Sequence, residues 1–138
     1  MNRVRVLVVD DMAQVRQGLR TVLSLAEEIE VVGEAIDGYE AIQQVEALHP
    51  DVVLMDLEMP EMDGYTATLQ VKSRWPSCRI IALSVHSYPE ARQKADQSGV
   101  DEFIEKGASV KEILQAITKG KVTHFEAVRH SEKDIPSE

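Results

Sequence analysis

The stretch Val52-Val53-Leu54-Met55-Asp56-Leu57-Glu58-Met59-Pro60-Glu61-Met62-Asp63-Gly64 joins four apolar residues to a carboxylate and then to a loop rich in turn formers. A short Val-rich run without polar alternation reads as a strand buried on both faces, as in a parallel sheet. Asp56 therefore emerges at the carboxyl edge, where open α/β sheets bind ligands. A second run, Val4 to Val9, ends in Asp10-Asp11. Three carboxylates delivered by two adjacent strand ends repel one another unless a cation lies between them. Magnesium, which is hard and prefers oxygen ligands, suits that donor set.

Two further strand ends add to the group. Ser84 closes the run Ile80-Ile81-Ala82-Leu83, and Lys106 follows the shorter run Phe103-Ile104. A nucleophilic carboxylate that forms an acyl phosphate needs such surroundings: a metal on the acids, and a lysine and a hydroxyl to neutralise the phosphoryl oxygens. Each residue also has a plainer reading. Asp56 suits a turn, Asp10-Asp11 a helix start, Lys106 a solvated loop, Ser84 a backbone partner at a strand end, and Phe103 the core. Their joint occurrence in one order is what favours the chemical reading.

Strands alternate with helical patterns along the chain, which predicts a doubly wound α/β sheet. Val15, Leu19, Val22 and Leu23 recur at helical spacing, and Glu30 to Ala35 reads as a less apolar edge strand. Asp37 with Glu40 opens a helix carrying Ala41, Ile42, Val45 and Leu48 that stops at His49-Pro50. A strand over Asp51 to Asp56 precedes a helix from about Tyr65 that halts before Trp75-Pro76, and Arg79 to Ser84 is the fourth strand. The fourth helix, Pro89 to Ser98 with Gly99 as its cap, holds only Ala91 and Ala95 as apolar residues and reads as weakly anchored. The fifth strand lies near Val100 to Glu105, and Ser109 to Glu112 forms a capping box before Ile113, Leu114 and Ile117.

Asp10-Asp11, Asp56 with its Leu-Glu-Met-Pro-Glu-Met-Asp-Gly loop, Ser84, Phe103 and Lys106 together resemble the receiver domain of two-component response regulators, over residues 3 to 120 or so. The resemblance implies a flavodoxin-like, doubly wound, five-stranded parallel sheet of order 2-1-3-4-5 with five flanking helices. Asp10-Asp11 and Asp56 then sit at its switch point. It further implies that Asp56 accepts a phosphoryl group from a sensor histidine kinase or phosphotransfer protein. Mg2+ would be bound by Asp11 and Asp56, by the backbone carbonyl of Glu58, and by Asp10 largely through water. Ser84 and Phe103 would form a switch pair that reorganises the fourth helix, fifth strand and fifth helix. Such a domain catalyses only its own phosphorylation and dephosphorylation.

Residues 1–120 are thus expected to be the receiver, and residues 121–138 a helix extension (Val122, Phe125, Val128) followed by a polar, disordered tail or linker from Ser131. That tail is too short for an output domain. The expectation is either a stand-alone receiver acting through a homodimer or downstream partner, or the receiver piece of a longer transcription regulator. Lys106-Gly107-Ala108 resembles receivers joined to LuxR-type DNA-binding domains.

Departures from the family pattern are Gly107 where proline usually follows the lysine, Val85 where a smaller residue is common, and Phe103 in place of tyrosine. Glu58 and His86 occupy positions that tune hydrolysis in this family. Two other functions compete. A pseudo-receiver, a protein-interaction module not regulated by phosphorylation, has no chemical need for the full set of acids, Ser84 and Lys106. A haloacid-dehalogenase-type phosphatase wants a second Asp two residues after the nucleophile, where Glu58 stands.

Composition narrows the field. A chain of 138 residues suits one domain that buries roughly two thirds of its unfolded surface. A net charge of -9 argues against direct nucleic-acid binding, which needs a basic patch. Cys78 is the sole cysteine and offers no disulfide framework. The apolar run near the N-terminus is too short for a signal or a membrane span, so a cytoplasmic location is expected.

Overall fold

The computed structural model describes residues 2–119. Five strands, β1 (Val4–Val9), β2 (Ile29–Ala35), β3 (Val52–Asp56), β4 (Arg79–Ser84) and β5 (Glu102–Glu105), form one parallel sheet in the order β2-β1-β3-β4-β5. Between them run helices α1 (Ala13–Leu23), α2 (Gly38–Leu48), α3 (Gly64–Arg74) and α4 (Pro89–Ser98). A fifth helix, α5, covers 110–119 of the described chain. Fold class and strand order are those expected. The helix extension and tail expected over residues 121–138 lie outside the described residues.

Strand periodicity sorts the core into two layers. Val4, Val6 and Val8 of β1, with Val52 and Leu54 of β3, pack with Leu23 of α1 and Ile113 and Ile117 of α5. The alternate residues Leu7, Val9, Val53 and Met55 pack with Ala41 and Val45 of α2 and Ala67 and Val71 of α3. Because helices cover both faces, β1 and β3 are apolar but for Arg5 and the terminal Asp56 rather than alternating, and all five residues of β3 are buried.

Register then places the chemistry. Val9 pairs with Met55 and Asp56 with Leu83, so Asp10 and Asp56 leave the sheet side by side. Ser84 pairs with Glu105, which puts Lys106 one step beyond, its amide donating to the Ser84 carbonyl at 2.9 Å. The pairing of β1 with β2 skips Val32, a bulge that the run Glu30 to Ala35 gave no sign of.

Local signals set the ends. Asp37 Oδ1 accepts from Glu40 N at 2.9 Å, while Glu40 Oε1 reaches back to Ile36 N, one residue before the cap. Asp63 caps α3 through Thr66 N, so that helix begins at Gly64. Ser109 Oγ accepts from Glu112 N at the start of α5. β5 begins at Glu102 rather than Val100, because the Asp101 carboxylate is diverted to Ile80 N and Lys72 Nζ. Gly64 is fixed by space: its N–H donates to the Leu57 carbonyl at 3.0 Å, and a Cβ there would lie 2.8 Å from Leu57 Cα.

Candidate functional site

Asp10 and Asp56 are each 1% exposed at the mouth of the sheet. Between them stands the Lys106 ammonium, 3.0 Å from Asp10 Oδ2 and 3.1 Å from Asp56 Oδ1. It supplies one of the positive charges that two buried acids require. Asp56 Oδ1 also accepts from Glu58 N at 3.3 Å, and Asp10 Oδ1 from Met12 N at 2.9 Å. Asp56 Oδ2 is buried and has no partner among the described residues. Asp11 is exposed, and a carboxylate oxygen from each of Asp10, Asp11 and Asp56 lies within 4.8 Å of the others.

The electrostatics follow from this burial. Desolvation first, and the neighbouring Asp10 charge second, push the Asp56 carboxyl up to about 7, with Lys106 opposing them. Burial alone would lower the Lys106 ammonium. Its bonds and charges with Asp10 and Asp56 outweigh that and hold it above its ordinary value. Three carboxylates against one ammonium leave a negative site, in which an orphaned carboxylate oxygen has lost water and gained no donor. A hard divalent cation with oxygen ligands meets that deficit, so the donor set fits magnesium.

Ser84 is fully buried beside this group. Its hydroxyl donates to the Glu58 carboxylate, at 3.1 and 3.3 Å to the two oxygens, and accepts from His86 N at 3.0 Å. Phe103 is half-buried on β5, with the Arg92 guanidinium 4.6 Å from its ring centroid. A cleft of about 640 Å³, lined among others by Leu57, Glu58, Tyr65, His86, Tyr88 and Lys94, separates the β3–α3 loop from the start of α4.

All the residues singled out in the sequence therefore come to one end of the sheet, with Phe103 one strand away. Three partners could not be read from the sequence. The Glu58 carboxylate, at a position expected to tune hydrolysis and to offer its backbone carbonyl to the metal, holds the Ser84 hydroxyl. Arg92 covers Phe103. Arg16 donates to the Asp10 carbonyl at 2.7 Å. Only position in the fold identifies them, because surface Arg and Glu residues carry no periodic signal.

Comparison with known proteins agrees with this arrangement. Residues 6–118 match the response regulator receiver domain model. The chain is 41% identical over 116 residues to the response regulator protein VraR of Staphylococcus aureus, covering 84% of this chain and 56% of that protein. The chain thus spans little more than half the length of these curated relatives. Among solved structures, the signal receiver domain of NarL from Mycobacterium tuberculosis superposes with a TM-score of 0.83 at 37% identity, covering 86% of this chain and 96% of that one. A two-component response regulator of the LuxR family from Aurantimonas sp. SI85-9A1 gives 0.81 at 30% identity, covering 86% and 84%. Among the described residues no helix is long and apolar enough to cross a membrane. With the strand order and the strand-end acids, these matches establish that the chain belongs to the response regulator receiver domain family of two-component systems.

Proposed function

We propose that Asp56 is the phosphoacceptor of this receiver, taking a phosphoryl group from a phosphohistidine on a sensor histidine kinase or phosphotransfer protein. An Asp56 carboxylate oxygen attacks phosphorus as the P–N bond breaks. The bond's electron pair returns to the imidazole, which leaves neutral when its other nitrogen carries a proton, and Asp56 becomes an acyl phosphate. Lys106 is placed to follow the charge: its ammonium, now shared by Asp10 and Asp56, turns to a phosphoryl oxygen once Asp56 is phosphorylated. The Ser84 hydroxyl leaves Glu58 for a second phosphoryl oxygen.

Magnesium would be held by Asp11 and Asp56, by the Glu58 carbonyl and, through water, by Asp10, and when bound it neutralises charge on the phosphoryl oxygens. The observation that carries this reading is the buried Asp56 oxygen that has no hydrogen-bond partner among the described residues, beside a lysine that already bridges two acids. Movement of Ser84 frees space for Phe103, and the surface of α4, β5 and α5 then signals to a second copy, a downstream partner or an attached output domain. We place this activity in the cytoplasm, where sensor kinases present their phosphohistidines.

Incubation with acetyl phosphate and magnesium tests the proposal by intact-protein mass. One stable added phosphoryl group, lost in Asp56→Asn, is the expected result. No labelling would mean an interaction module that keeps only the fold. Repeated turnover of phosphate esters would mean a phosphatase.

A further inference from the structure

We propose that Arg16 is a positioning residue for the acidic pair: its guanidinium, anchored by Glu34, fixes the Asp10–Asp11 peptide and so aims the Asp11 carboxylate into the site. This rests on the functional reading above, in which Asp11 is a metal ligand. Arg16 lies on α1, its side chain only 16% exposed. One arm donates to the Asp10 carbonyl at 2.7 Å, short for such a bond, while Nε meets Glu34 Oε1 at 2.8 Å. Glu34 is itself located by the sheet, since it pairs in register with Val8, and its second oxygen takes Arg20 Nη1 at 3.1 Å. The two arginines are four apart on one helix face and share a single carboxylate.

The consequence is geometric. The Asp10 carbonyl and the Asp11 N–H belong to one planar unit, so holding that oxygen fixes the plane from which the Asp11 side chain departs. Asp10 needs no such help. Its amide donates to the Ala35 carbonyl, and its carboxylate oxygens are taken by Met12 N and by Lys106. Asp11 is exposed, and among the described residues its carboxylate has no hydrogen bond or ion pair to orient it. Arg16 is thus what the fold offers in place of a direct partner. Glu34 also offsets the guanidinium's charge, which would otherwise oppose a cation nearby.

The experiment is calorimetric titration of the full chain with magnesium chloride, with the Asp11 and Met12 amides followed by NMR in the metal-free protein. Arg16→Met keeps the aliphatic stem and should weaken magnesium binding about tenfold or more, the usual cost of losing a partner that orients a ligand. It should also speed exchange of the Asp11 amide. In an Asp11→Asn background the same change should cost nothing further. Arg16→Lys, whose single ammonium cannot serve both partners, and Glu34→Gln should give smaller losses, and they decide the matter if Arg16→Met fails to fold. Unchanged affinity in these variants, or an equal loss with and without Asp11, would overturn the positioning role while leaving the phosphoacceptor reading intact. A wild-type chain that takes no magnesium would overturn both.

Discussion

The two halves of the sheet are built differently. On the β1 and β3 side every residue of β3 is buried, helices cover both faces, and the acids are held by short bonds from Lys106, Met12 and Arg16. On the β4 and β5 side, β5 has one fully buried residue of four, Ile104, and α4 offers the core only Ala91, Ala95 and Ser98. Two cations over rings supply further hold on α4: Lys94 over Tyr65 at 4.3 Å and Arg92 over Phe103 at 4.6 Å. Val85 and Tyr88 in the preceding loop are exposed, and the cleft lined by Tyr88, Glu90, Ala91 and Lys94 leaves the start of α4 room to shift. The acids sit on the dense half, and Ser84 and Lys106 reach the site from the ends of β4 and β5. β4 keeps five of its six residues buried, but β5 and α4 have few buried residues and can move at small cost.

The largest effect should come from Asp56→Asn. Phosphoryl incorporation from acetyl phosphate is lost altogether, and stability rises. The wild-type carboxyl is raised to about 7 by burial and by Asp10, so folding is penalised as pH climbs from the unfolded value to the folded one. The sign is fixed by proton binding: between about pH 4 and 7 the folded state holds the proton more tightly than the unfolded, and stability falls with rising pH. The gain in Asp56→Asn, measured without divalent cations, should therefore vanish near pH 4 and level off above pH 7. After discounting for the water that reaches the mouth of the site, it should amount to about 1–2 kcal/mol. A gain that persists at low pH would show that Asp56 is not strained by its charge.

Next in size is a glycine pair that sets the halves against each other. Gly64→Ala drives a Cβ into the Asp56–Leu57 backbone, so it should cost about 1–3 kcal/mol and slow phosphorylation by displacing the nucleophile. Gly107→Ala, beside Lys106 on the β5 side, meets nothing within 4 Å and has no positive φ. It should fall between no change and a gain of about 1 kcal/mol, by restricting the unfolded chain. Equal costs in denaturant unfolding would erase the contrast between the halves.

How legible this was in the sequence depends on the same contrast. Runs buried on both faces announce themselves, so β1, β3 and β4 end where the sequence places them, and Asp10, Asp56 and Ser84 follow from those ends. The weak anchoring of α4 was legible because alanine is its only apolar residue type. The cation expected between the acids proves to include one of the protein's own, Lys106. Less legible were contacts made by long, flexible side chains across the fold: Glu58 to Ser84 spans 26 positions, and Arg16 to Glu34 spans 18. Which partner such a chain finds is decided by packing after the backbone is set. β5 misled by two residues for a related reason, since the Asp101 carboxylate competes with the ladder for Ile80 N.

A smaller effect tests movement directly. With beryllofluoride and magnesium standing in for the phosphoryl group, hydrogen exchange should change across residues 84–106 and stay constant in β1 and β3 away from the Asp56 loop. A coupling of about 1–3 kcal/mol suffices for such a shift. Changes confined to the Asp56 loop would show that the loosely held half does not receive the signal.

The smallest effect, and the sharpest test of the comparison, concerns Arg92. Its guanidinium sits over the half-buried ring of Phe103, and in the proposed switch, where the ring turns into space left by Ser84, that contact would break. Arg92 is exposed on α4, so a cation–π contact there is worth about 0.5–1 kcal/mol. Removing it by Arg92→Gln leaves folding nearly unchanged, because no buried apolar group is lost. It does remove a contact that the ring makes in its present position and that the proposed inward position would lack. A ligand that favours the inward state then works against a smaller gap, and its apparent affinity rises by the factor the gap has lost. Beryllofluoride should therefore bind Arg92→Gln about two- to fivefold more tightly than wild type, with magnesium affinity unaltered in its absence. Unchanged or weaker beryllofluoride binding would mean that Phe103 moves independently of α4, and that the loose half of the sheet is held by something other than its cations.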